Sequence, residues 1–193
     1  MTKPGKMILK LVGIVLGCVV LFFIIILCQA YFGFNDDSST EDLSEYQAYL
    51  DCVLSSQDSM PALEECGAYQ KAKLSKREHL QYIFDYYSVC LFLQYDEEEY
   101  ERQVEQIEKD YRFFQEPTYD LHEVTASIGG YEVRVVEPGD PIMPPVKGCL
   151  LIGFNDELHA IMYAYYDDIE RDYISDLDKA LKEYLYIPRD WKS

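Results

Sequence analysis

Hydrophobic positions divide the chain into one unbroken apolar run and a long remainder whose apolar residues recur at two different periods. Leu11 to Cys28, LVGIVLGCVVLFFIIILC, holds no charge and no strongly polar group over 18 residues. At a helical rise of 1.5 Å per residue this is a rod about 27 Å long, close to the thickness of a bilayer's hydrocarbon core. The pattern predicts a transmembrane helix. Beyond it, Leu43, Tyr46, Tyr49, Leu50, Val53 and Leu54 recur at helical spacing behind the capping residues Ser39 and Thr40. Pro61 suits the first turn of a second helix through about Leu74, with Ser55 to Ser59 as the turn of a helical hairpin.

Ser75-Lys76-Arg77-Glu78 reads as a capping box opening a third helix. Leu80, Ile83, Phe84, Tyr87 and Leu91 form one stripe on it, and Tyr82, Tyr86, Val89 and Leu93 a second, which predicts a long central helix buried on more than one side. Asp96 to Glu99 restarts or continues it, Tyr100, Val104, Ile107, Tyr111 and Phe114 keep the period, and Pro117 closes a helical half spanning 41–116.

The period then changes. Tyr119 to Ile128 and Tyr131 to Glu137 flank Gly129-Gly130, and Val146 to Phe154 and Glu157 to Tyr166 flank Asn155-Asp156, two hairpin signals separated by the proline-rich loop Pro138 to Pro145. These segments predict a four-stranded antiparallel meander. Cys149 to Ile152 is continuously apolar, and the last strand is apolar on both faces, so layers should cover the sheet on each side. Ser175 and Asp178 cap a final helix through about Tyr186, before Pro188. The expected class is α+β: a transmembrane helix, a helical hairpin and long central helix packed with the meander, and a C-terminal helix, the sheet and final helix occupying 118–188.

Charge orients the membrane segment. Lys3, Lys6 and Lys10 precede the run, and the first acidic residues, Asp36 and Asp37, follow it. Positive flanks stay inside, so 1–10 should be cytoplasmic, 11–28 spans the cell membrane as a signal-anchor, 29–40 is a juxtamembrane tether, and 41–193 is a single extracytoplasmic domain. Tyr31, Phe32 and Phe34 mark the outer interface. Cys28-Gln29-Ala30 loosely fits a cleavage site, but the apolar core exceeds the roughly 7–15 residues of a signal peptide. Val15-Leu16-Gly17-Cys18 is a poor lipid-attachment box, because the apolar run continues past it.

All 35 acidic residues lie beyond the span against 14 of the 17 Lys and Arg, a formal −21. Such a balance excludes nucleic acid, disfavours anionic lipid and favours basic partners. All 18 Tyr lie there too, with aliphatic residues between the acids, a composition that folds. Four thiols remain outside the membrane. They allow three complete pairings; Cys52 and Cys66 flank the first turn at similar distances and suit a disulfide across the hairpin, while Cys90 and Cys149, in the most apolar segments, should remain buried thiols.

Catalytic patterns are missing. His79, His122 and His159 share no ligand spacing, no CxxC pair occurs, and no glycine-rich phosphate loop is present, so no cofactor, metal or catalytic residue is expected. Lys71, Lys73, Lys76 and Arg77 form a basic cluster best explained by pairing within the acidic chain. The remaining candidate surface is Tyr165, Tyr166, Asp167, Asp168, Glu170, Asp172 and Tyr173, where tyrosine area and carboxylate charge suit recognition of a basic partner. The expected role is a membrane-anchored, noncatalytic module for a protein or envelope partner. The alternatives are an extracytoplasmic enzyme of unrecognised type and a weak cation-binding sensor using the acids of 167–172.

Overall fold

The computed structural model describes residues 3–32, 34–51, 59–80, 86–116, 122–123, 125–137, 148–168 and 177–192. Helix α1, Lys3–Phe32, contains the apolar run, and Lys10–Cys28 is long and apolar enough to cross a membrane, a property a signal sequence shares. None of that window is buried by the rest of the chain.

The domain is built on a seven-stranded sheet, not a four-stranded one, and this overturns the expected meander; a separate two-stranded ribbon brings the described strands to nine. In chain order they are β1 (Phe34–Thr40), β2 (Lys71–Leu80) and β3 (Tyr86–Gln94); the two-residue pair β4 (Gln115–Glu116) and β5 (His122–Glu123), which forms its own ribbon; then β6 (Thr125–Ile128), β7 (Tyr131–Val135), β8 (Cys149–Asn155) and β9 (Ala160–Asp168). The large sheet runs β1-β2-β3-β9-β8-β7-β6 and is antiparallel at every step. Two meanders, one from each half of the chain, are zipped together where Tyr86 faces Asp168 and Gln94 faces Ala160.

The central helix expected over 75–93 is therefore a pair of strands. Val89 to Leu93 is apolar at every position because β3 is buried on both faces: Cys90 and Phe92 enter one core, Val89, Leu91 and Leu93 the other. A run of that kind satisfies a helical stripe and a buried strand equally well. The capping box is unused as such. Ser75 instead donates its hydroxyl to the Tyr186 carbonyl at 2.5 Å, and Glu78 pairs with Lys76 on the same strand face at 2.6 Å. Among the described residues, the expected helical hairpin holds a 3-10 turn at Leu43–Glu45, the short α2 (Tyr46–Asp51) and a second 3-10 turn at Leu63–Glu65, and the end of its second helix is strand β2. Gly67, at φ +70°, then lies so close over Gln103 and Glu99 that any Cβ would collide with them.

Helix α3, Glu97–Asp110, begins where Asp96 accepts from the Glu99 N–H at 2.9 Å, with Glu97, Glu98 and Glu99 in its first turn, where the helix dipole favours negative charge. Helix α4, Leu177–Tyr184, covers the opposite face. One core packs Tyr86, Phe92, Tyr131, Val133, Met162 and Tyr166 against Leu181, Tyr184, Leu185, Ile187 and Trp191. The other packs Val89, Leu91, Ile152, Ile161 and Tyr163 against Tyr46, Tyr49, Leu50, Tyr100 and Ile107. The result is a three-layer arrangement in which strand alternation sends successive side chains to different cores.

Polar residues on β2 and β3 hold the end of α4. Its last carbonyls have no intrahelical donor. Arg77 donates to the carbonyls of Lys182 and Glu183, Tyr86 to Glu183, and Ser88 to Tyr184 at 2.5 Å. Arg77 also makes a bidentate pair with Asp37 at 2.6 and 2.8 Å, so one guanidinium ties the first strand to the last helix. The segment expected as a tether, 29–40, contributes the end of α1 and the whole of β1, leaving Gly33 alone between them.

Candidate functional site

Of the sequence-predicted surface, the described tyrosines Tyr165 and Tyr166 are buried. Tyr165 and Tyr166 follow one another on β9 and so enter opposite cores, Tyr165 among the α2 and α3 contacts and Tyr166 stacked on Tyr184 with centroids 5.0 Å apart. Asp167 is half-buried beside them, and Asp168 ends the strand opposite Tyr86. Glu170, Asp172 and Tyr173 lie outside the described residues. Cys66 carries a free thiol that donates to the Ala62 carbonyl at 3.3 Å, and its expected partner Cys52 also lies outside them.

Burial pushes the Cys66, Cys90 and Cys149 thiols up to about 12, which keeps them neutral and unreactive near neutral pH. His79 stacks on Tyr86 and His159 lies beside the Tyr100 ring. Among the described residues, no group of His, Cys, Asp and Glu is arranged to hold a metal ion. Three members of the basic cluster are paired within the chain: Lys73 to Asp190 and Glu41, Lys76 to Glu78, and Arg77 to Asp37.

A polar cleft of about 560 Å³ opens at one end of the sheet. Five separated segments make it: Glu41 just past β1; Gln70, Lys71 and Ala72 at the start of β2; Gln94 at the end of β3; Leu158 from the β8–β9 turn; and Asp190 with Trp191 near the C-terminus. Its floor is fixed by one backbone and two side-chain hydrogen bonds. Gln70 N–H donates to the Gln94 carbonyl at 2.7 Å, the Gln94 amide donates to the Leu158 carbonyl at 3.0 Å, and Asn155 accepts from Leu158 N–H at 3.1 Å. His159 takes a left-handed φ of +46° to close this turn, a conformation uncommon for a residue with a Cβ.

Lys73 secures one wall, with Nζ 2.5 Å from Asp190 and 3.5 Å from Glu41. The hydrogen bond to Asp190 raises the Lys73 pKa above its ordinary value and, reciprocally, holds the Asp190 carboxyl below its own. Trp191, buried on the Phe92 ring at 5.6 Å, closes the base. The cleft thus balances its carboxylates with Lys71 and Lys73 and adds two side-chain amides, a neutral, hydrogen-bonding spot on an otherwise acidic domain. Such a lining can bind polar groups. Among the described residues, the lining holds no nucleophile–base pair.

Local sequence could not reveal this site, because Glu41, Gln70, Gln94 and Asp190 are ordinary surface residues until the sheet brings them together. The single Trp of the chain was the one available signal. The chain matches no protein-family model, no curated protein and no solved structure.

Proposed function

We propose that the chain is a single-pass, membrane-anchored recognition module that holds a polar cleft away from the bilayer for a protein or envelope partner and performs no chemistry itself. The observation that carries this reading is the cleft's position. Chain continuity puts Phe34, and Leu80 paired with it, at the end of the sheet next to α1. The cleft lies at the other end, beside Lys71 and Gln94. The intervening length of β2 is about 30 Å. Lysines before the apolar helix and acids after it support a cytoplasmic N-terminus with the domain outside.

The test is site-specific photocrosslinking in intact cells, with the photoreactive residue at Gln70 or Lys71 and, as a control, at the exposed Glu101 on α3. Adducts specific to the cleft positions are expected. Adducts equal to the control, or turnover of a substrate by the purified chain, would overturn the recognition reading. A mature N-terminus beyond Cys28 would overturn the anchor, and protection of a C-terminal tag from external protease would overturn the topology.

A further inference from the structure

We infer that the end of the sheet carrying Asp36, Glu78, His79, Tyr87 and Asp167 is seated on the lipid headgroups of the membrane that α1 crosses, an inference that rests on the anchored reading above. The argument is one of chain length. The apolar window closes at Cys28, α1 continues to Phe32, and β1 starts at Phe34. Four further helical residues rise about 6 Å, which is about one headgroup layer, half the difference between a roughly 30 Å hydrocarbon core and the 40–45 Å of the whole bilayer. Gly33 adds at most about 3.5 Å. The first strand therefore begins at the outer rim of the headgroups.

The sheet cannot lift away from that point. Phe34 is paired with Leu80, and Tyr86 with Asp168, so the ends of β1, β2, β3 and β9 share one boundary. Across seven strands the sheet is about 29 Å wide, and it hangs from the membrane by its edge strand through one residue. A linker this short holds its neighbours in the interface. Among the described residues, the cations nearest this boundary are engaged, Arg77 with Asp37 and Lys76 with Glu78, while Asp36 is exposed. That charge pattern fits zwitterionic headgroups and opposes anionic ones.

The test uses the full chain reconstituted in phosphatidylcholine vesicles containing lipid with a nitroxide on its headgroup. Trp191 is the only Trp of the wild type and packs on Phe92, five residues along β3 from Tyr87, about 17 Å. Two reporters, Asp36→Trp and Tyr87→Trp, each combined with Trp191→Phe, place the fluorophore at the proposed contact on separate strands, so misfolding of one leaves the other. Quenching about twofold or more stronger at positions 36 and 87 than at Trp191 is expected from that separation. Replacing half of the phosphatidylcholine with phosphatidylglycerol is expected to weaken it. Equal quenching at all three positions would overturn the inference. So would emission at 36 and 87 that follows protein density but not the nitroxide, which would assign this end to a second copy. Cleavage of the helix in cells would sink the anchored reading while leaving the vesicle result intact, so the two failures are distinguishable.

Discussion

Raising the pH should unfold this domain through its buried thiols. Cys66, Cys90 and Cys149 stand at about 12 in the fold because burial opposes the thiolate, against an ordinary value near 9 once the chain is unfolded. Between those values the unfolded chain gives up protons that the folded chain keeps. Stability is therefore fully present below about pH 9 and is lost as the pH rises toward 12, at about 1.4 kcal/mol per pH unit for each thiol. From about pH 8 to about pH 10 the loss is on the order of 1 kcal/mol per thiol and a few kcal/mol for the three, a large share of a typical 5–15 kcal/mol. Burial raises Tyr46, Tyr95, Tyr100, Tyr131 and Tyr163 in the same direction, so they steepen the decline at higher pH. The assay is urea unfolding of the reduced full chain in detergent, followed by Trp191 fluorescence at a series of pH values. Replacing all three cysteines with Ala should remove an average of about one and a half protons' worth of slope between pH 8 and pH 10, approaching about three just above pH 10, whatever it does to stability at neutral pH. A wild type equally stable at both pH values, or a triple variant with an unchanged slope, would refute the reasoning.

A double-mutant cycle of Arg77→Met and Asp37→Asn should show a coupling of about 1–2 kcal/mol, because the pair is bidentate and largely shielded; coupling near zero in urea titrations would mean that the guanidinium works only through the α4 carbonyls. Gly153→Ala should cost about 1–3 kcal/mol, since its Cβ would sit 2.9 Å from Met162 Cε and 3.3 Å from Tyr131 Cβ and Val133 Cγ2; an unchanged unfolding midpoint would show that the core can relax there. Tyr131 is wholly buried and its hydroxyl has no partner among the described residues, so Tyr131→Phe should be neutral or stabilising by about 1 kcal/mol; a clear loss of stability would reveal an acceptor for that hydroxyl.

What could be read from the chain alone was local. The apolar span needs only length and composition; the Gly129-Gly130 hairpin needs only a turn that accepts φ values of +58° and +86°; the start of α3 needs only a carboxylate three residues before a free N–H. What tertiary structure decided depended on partners far along the sequence. Lys71 to Gln94 satisfies a helical stripe until β9 arrives from residues 160–168 and covers one side of β3, and only then does alternation send Phe92 to α4 and Leu91 to the opposite core. Ser75 carries the chemistry of a helix cap until the Tyr186 carbonyl, 111 residues later, takes its proton donor. Tyr165 and Tyr166 look alike as exposed aromatic residues, yet a period of two places them in different cores, and the cleft forms only where five distant segments meet. Turns and caps are encoded within a few residues. The choice between strand and helix for a doubly apolar run is made by what covers it, and that covering is a property of the assembled sheet.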